Sequence, residues 1–227
     1  MRGLRAVVGV VYVIVIYGVL LFLPAWTLAW PRAWLFLGLV AVAVAGSITG
    51  VTRANPDLIR ERMKPPIQKG QPVSDRVVLL LFVATYLGQT AFVPLDVFRF
   101  HLLGGPGPAG AALGFVLFFG GWWLVYRAQR ENAFASNVVR HQAERGQTVV
   151  DTGPYALVRH PMYAGVLPLT VGLPLALGSY AGALLALVPL VLALPRVFIE
   201  ERLLRRELPG YDAYLATVRW RLIPYVW

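Results

Sequence analysis

Cysteine is absent from the 227 residues, which excludes disulfides, thiolate metal sites and a cysteine nucleophile. Charge is scarce as well. Asp, Glu, Lys and Arg make up 14% of the chain while 58% is hydrophobic, whereas an ordinary soluble domain is about one quarter charged. Lysine is nearly missing, since all but Lys64 and Lys69 of the 21 basic residues are arginine. Histidine occurs only at His101, His141 and His160, without the spacing of metal ligands. No phosphate loop or dinucleotide fingerprint is present, and no strand is expected. A formal net charge of +10 would suggest a nucleic-acid partner in a soluble protein. Here the base lies almost wholly between apolar runs, the pattern of membrane topology.

What the chain does have is long apolar sequence. A helix needs roughly 20 residues to cross about 30 Å of hydrocarbon. Residues 6–30, 33–51, 77–95 and 102–126 are uncharged runs of that order. The first follows Arg2 and Arg5, but it is too long for a signal-peptide core and lacks a small-x-small cleavage site. A fifth run, residues 161–195, would be about 52 Å long as one helix, too much for one crossing. Gly178-Ser179-Tyr180-Ala181-Gly182 is a turn signal near its middle, so a helical hairpin is expected, its arms bent by Pro168, Pro174 and Pro189. With six crossings and a cytoplasmic N-terminus, every basic residue but Arg32 and Arg99 falls on one side. The expected fold is therefore an all-α integral membrane protein of about six transmembrane helices, the last two a short hairpin, with both termini cytoplasmic. Residues 1–126 would hold four helices and a cytoplasmic loop, 52–76. Residues 127–227 would hold a second loop, the hairpin 161–195, an interfacial helix and a tail.

The polar sequence concentrates in residues 52–76, 127–160 and 196–227. In the first, Asn55 before Pro56 and Asp57 suggests a capped interfacial helix ended by Pro65 and Pro66, or simply a charged connector. The second ends on Val158-Arg159-His160-Pro161-Met162-Tyr163. His160 thus stands at a helix N-terminus, where free N–H groups and the helix dipole favour an anionic group. The same residues also suit a plain membrane boundary. In the third, Glu200 and Glu201 follow an apolar run, and carboxylates so placed are costly unless they meet a cation. Arg196, Arg202 or a cationic ligand could serve. On an unbroken helix only one of the pair can face a pocket squarely; Glu201, in line with Val197 and Leu204, is the expected one.

Several of these elements together resemble the isoprenylcysteine carboxyl methyltransferases, in the wider group that includes phospholipid N-methyltransferases. The resemblance rests on Gly153-Pro154-Tyr155, Arg159-His160-Pro161-x-Tyr163-x-Gly165, Glu200-Glu201-x-x-Leu204 and Tyr211-x-x-Tyr214, in that order. Residues 132–147, with Asn132 and Gln142, resemble the bacterial branch, as does the arginine preference of a GC-rich genome. The resemblance implies S-adenosylmethionine bound at the cytoplasmic face of a bacterial membrane. It implies Gly153, Pro154, Tyr155, His160, Tyr163, Gly165, Glu200 and Glu201 around that cofactor, and Asn132 and Gln142 toward the acceptor. The acceptor would be a lipophilic small molecule or lipid-modified group entering from the membrane lipids; neither a metal nor nucleic acid is called for. A carboxylate acceptor is ionised at pH 7 and could be held by an arginine fork, from Arg196 or Arg140. An amine acceptor would need a base such as His160 or a carboxylate. A sterol-type reductase using NADPH, and a non-enzymatic transporter or scaffold, are the alternatives. A transporter would show polar residues within several helices or a repeated half, and neither is visible.

Overall fold

The computed structural model describes the backbone of residues 2–227 and the side chains from Val7 onward, so the Arg2 and Arg5 side chains of the charge count lie outside it. The described residues form no strand. The helices are α1 (Arg2–Ala25), α2 (Pro31–Ala54), α3 (Pro56–Arg62), α4 (Val73–Leu95), α5 (Pro108–Glu131), α6 (Pro161–Leu177), α7 (Tyr180–Leu185), α8 (Leu187–Glu207) and α9 (Tyr211–Thr217), with a π-helical extension of α4 over Asp96–Phe100. Five segments are long and apolar enough to cross a membrane: Val7–Ala25, Pro31–Ala54, Val73–Phe100, Pro108–Glu131 and Tyr180–Glu207. The sixth apolar helix, α6, has 17 residues. It is about 26 Å long and falls short of a full span. The hairpin therefore has unequal arms, α6 against the nearly continuous α7 and α8.

The hairpin turn forms where expected. Gly178 ends α6 at φ 105°, in the left-handed region that favours glycine. Ser179 then caps α7, accepting from the Gly182 N–H at 2.7 Å and donating to Asp96 Oδ2 at 2.6 Å. Pro174 within α6 has no N–H to give the Thr170 carbonyl four residues back. Gln89 of α4 replaces that bond, its Nε2 donating to Thr170 O at 3.0 Å. A neighbouring helix thus satisfies the freed carbonyl, as an apolar surrounding demands.

Two local expectations fail. Residues 102–107 are a loop rather than the start of α5, because Gly104 turns at φ +66° and a Pro/Gly cluster runs to Pro108. Asn55 does not cap α3 with its side chain. Its amide donates instead to the Gln129 and Arg130 carbonyls at 2.9 and 2.8 Å, satisfying the C-terminal end of α5.

Lipid is as apolar as the side chains, so these helices are held by packing rather than by escape from water. Phe36 of α2, fully buried, meets Phe118 of α5 edge-on at 4.8 Å in the main cluster, with Leu21, Val93, Leu173 and Leu177 around them. The most extensive helix contact, α5 on α6, runs over glycines. A Cβ at Gly165 would stand 2.7 Å from the Gly121 carbonyl oxygen and 2.8 Å from a Val125 methyl. Gly165 is thus a close-approach residue of the α5–α6 seam, which corrects its expected place in a pocket. Gly165→Ala is expected to destabilise by about 1–3 kcal/mol, read as a lower midpoint of unfolding in detergent. The folded fraction should bind ligand normally.

Candidate functional site

At the end of the bundle that carries the three polar segments, α3, the loop between α5 and α6, α8 and α9 converge on one cavity of about 400 Å³. The loop is built first. Gln142 is 1% exposed and ties it internally: its Nε2 donates to Phe134 O at 2.7 Å, its N–H donates to Gln147 Oε1 at 2.7 Å, and its Oε1 accepts from Arg145. Gln142 is therefore a loop staple off the cavity wall, where a substrate contact was expected. Arg140 reaches back to α3, with Nη2 2.6 Å from Glu61 and Nη1 2.7 Å from Glu144. Both ends of its fork are taken, so the expected role of Arg140 in holding an acceptor is replaced by loop fastening.

The Glu61 carboxyl, despite burial that alone would raise it, is held below the usual carboxylate range by Lys64 and Arg140. Such a group stabilises the fold fully above its unfolded value near 4.3, and that contribution is lost as pH falls through the lower folded value. Thermal unfolding should therefore show a loss of stability below about pH 4 that is smaller in Glu61→Gln.

The C-terminal tail closes the next side. Backbone N–H groups of Arg159 and His160 donate to the carbonyls of Trp220 and Arg221 at 2.9 and 3.0 Å. The Arg159 guanidinium gathers Val218 O at 2.7 Å, Leu215 O at 3.0 Å and Glu201 Oε1 at 3.2 Å. Arg221 Nε donates to the other Glu201 oxygen at 3.1 Å, and His160 Nε2 lies 3.4 Å from Glu201 Oε1. Glu201, 7% exposed, is the hub that ties the tail to the loop.

This reverses the expectation for the carboxylate pair. The α8 residues on the cavity wall are Ala193, Arg196, Glu200, Leu203 and Leu204, and Glu201 is not among them. Glu201 does continue the face of Val197, as spacing required, but that face meets the tail. Glu200 looks into the cavity, accepts from the Tyr163 hydroxyl at 3.0 Å and has His160 Nδ1 at 3.9 Å. Arg196 is fixed from behind. Its Nε donates to Asp75 at 2.8 Å and its Nη2 to Asn137 O at 2.9 Å, while Asp75, fully buried on α4, also accepts from Gln71 and the Val139 N–H.

Of the expected site residues, Asn132, Tyr155, His160, Tyr163, Arg196 and Glu200 come together on the wall with the fastened Arg140. Gly153 and Pro154 do not. They form the turn before Tyr155, where Gly153 takes φ +56° and a Cβ would stand 2.8 Å from the Glu131 carboxylate. Burial pushes the Tyr155 hydroxyl well above its ordinary value. Among the wall residues that the sequence reading did not place in the site are two tyrosines and an arginine. Tyr211 and Tyr214 had a visible spacing but no assigned role, and Tyr214 locks onto Tyr155 O at 2.8 Å. Arg62 was read as part of a connector. Among the described residues, no group of three or more His, Asp or Glu is arranged to hold a metal ion.

The far wall is apolar, with Leu79, Phe82 and Val83 of α4 and Val166 of α6. Val83 is 41% exposed and lies on α4, a helix long and apolar enough to cross a membrane. The fold and site define a multi-pass helical membrane protein with a mostly apolar cavity, polar along one side, at one end of its bundle. Residues 109–209 match the model of the family described as phospholipid methyltransferase, which supports a membrane methyltransferase. No curated protein matches the chain.

Proposed function

We propose that the chain is an S-adenosylmethionine-dependent methyltransferase acting on a lipophilic acceptor, with an isoprenylcysteine-like carboxylate as the favoured acceptor group. The observation that carries the reading is the cavity itself, which joins charged groups of both signs to an apolar wall on a helix long and apolar enough to cross a membrane. The family match at residues 109–209 supports the reaction class. The cavity suits the cofactor in size for a small-molecule site. It also suits it in chemistry, because Tyr155, Tyr163, Tyr211 and Tyr214 offer aromatic rings to a sulfonium cation. When bound, the cofactor supplies a methyl group on that sulfonium for in-line displacement.

What the chain's own residues do is positioning. Glu200 would accept hydrogen bonds from the cofactor's ammonium or ribose hydroxyls. Arg196, fixed by Asp75 and Asn137, has Nη1 left to orient an acceptor carboxylate. Leu79, Phe82 and Val83 would take the lipophilic part and keep water out. The family's description favours a second reading, N-methylation of a phospholipid amine. Glu200 or His160 would then receive the proton that the amine loses. With α6 as a short sixth crossing, the one-sided distribution of base supports placing this end of the bundle and both termini on the cytoplasmic side, and the arginine preference supports a bacterial membrane.

Melting in detergent with S-adenosylhomocysteine tests the cofactor. A ligand at 100 times its Kd stabilises the native state by about 2.7 kcal/mol, so a higher melting temperature is expected. A shift with NADPH alone would favour a reductase and overturn the reading.

A further inference from the structure

The cavity wall carries four arginines, Arg62, Arg140, Arg159 and Arg196. Three have a carboxylate partner: Arg140 has Glu61 and Glu144, Arg159 has Glu201, and Arg196 has Asp75. Arg62 has none. Its Nη1 donates to Ala135 O at 2.8 Å, and the other charged-type group near it is the Tyr155 hydroxyl. Arg62 is half-buried with no carboxylate partner, and burial pushes its guanidinium down to about 10. Glu200 on the same wall is met by the Tyr163 hydroxyl and the His160 ring and, among the described residues, makes no salt bridge to an Arg or Lys. Arg196, one turn back on α8, stays within electrostatic reach and keeps Asp75 as its counter-ion. Tyr155 lies within electrostatic reach of both Arg62 and Glu200. One end of the cavity therefore presents a cation without a carboxylate partner and a carboxylate without a direct Arg or Lys salt bridge, both within reach of a single tyrosine.

That pairing is complementary to a zwitterion whose two charges sit on one carbon, an α-amino acid group. We propose that Arg62, on α3 and outside the residues of the family match, is the carboxylate subsite of this cavity and takes the α-carboxylate of the cofactor's amino-acid tail. The proposal rests on the S-adenosylmethionine reading above. Glu200 faces the ammonium of the same tail. A guanidinium suits the carboxylate because it donates two parallel N–H bonds and keeps its charge. A half-buried cation with no counter-ion is unfavourable, so the ligand's carboxylate completes an arrangement that the protein's own acids leave open. The short α3 and its Ala135 contact hold Arg62 in place, and Asn137 Nδ2 fastens the Arg62 carbonyl at 2.8 Å.

Isothermal titration with two ligands tests this without any methyl acceptor. S-Adenosylhomocysteine carries the amino-acid tail, and 5′-methylthioadenosine lacks it while keeping the nucleoside and sulfur. In Arg62→Gln, affinity for S-adenosylhomocysteine should fall roughly 10- to 150-fold, the size of a charge-assisted hydrogen bond. Affinity for methylthioadenosine should stay within about twofold, and Arg62→Lys should recover part of the loss. Equal losses for both ligands would mean that Arg62 only holds the loop through Ala135, and would overturn the proposal. So would unchanged binding of S-adenosylhomocysteine in Arg62→Gln. Failure of the wild-type protein to bind either ligand contradicts the methyltransferase reading itself, which keeps the two failures apart.

Discussion

Glu201→Gln should unfold at a markedly lower temperature than the wild type, whereas Glu200→Gln should melt almost unchanged and lose ligand affinity instead. Glu201 is the common partner of Arg159, Arg221 and His160, so neutralising it strands cations in a mostly buried cluster. Breaking a buried pair costs about 3–5 kcal/mol, and the lower end applies because the Arg221 side chain is 30% exposed. Glu200 makes no salt bridge to an Arg or Lys among the described residues, and its neighbour Arg196 keeps Asp75 as its counter-ion, so stability should change by no more than about 0.5 kcal/mol. Its loss should appear as a 10- to 150-fold weaker S-adenosylhomocysteine affinity, roughly one charge-assisted bond. Calorimetric titration and melting curves on both variants separate the two roles. If Glu201→Gln alone lost affinity while keeping its stability, the assignment of the pair would be wrong.

Asp75→Ala should be as damaging. The Asp75 side chain is fully buried and its Arg196 partner only 9% exposed, so the substitution leaves a desolvated guanidinium without a counter-ion. A loss of about 3–5 kcal/mol is expected. Removing both charges in Asp75→Leu/Arg196→Met should restore much of that, since a buried pair exchanged for apolar side chains is often near neutral. Unfolding by graded denaturing detergent would show it. A double variant as unstable as the single one would mean that Asp75 acts through Gln71 and the Val139 N–H rather than through Arg196.

The fold was largely legible because lipid imposes a length on apolar sequence. The uncharged runs became α1, α2, α4 and α5, and Gly178 with Ser179 marked the hairpin turn. The α5 start was missed because uncharged residues 102–107 count as apolar sequence while their glycines and prolines keep them out of a helix. The site was legible in kind but only partly in orientation. Helical spacing correctly put Glu201 in line with Val197, yet spacing cannot say which third element a face meets. The tail through Arg221 and the loop before α6 through Arg159 claimed that face and left Glu200 to the cavity. Arg140 and Gln142 were misread for the same reason, since their partners Glu61 and Phe134 are brought close only by the folded loop. Asp75, Arg62 and Asn55 act across gaps in sequence that no local pattern records. The glycine of Gly165 looked like part of a motif around a ligand, but close helix approach requires it.

Methyl transfer itself is the most direct test of the central claim. The purified protein, reconstituted in lipid vesicles with an organic extract of bacterial membranes, would be incubated with methyl-labelled S-adenosylmethionine. Label should pass into the lipophilic fraction. Release of that label as methanol by mild base would mark a methyl ester and the favoured carboxylate acceptor, whereas base-stable label in phospholipid would mark the amine reading. Glu200→Gln should reduce the transfer at limiting cofactor. No transfer into any lipophilic fraction, by a protein that remains folded through the assay, would contradict the account.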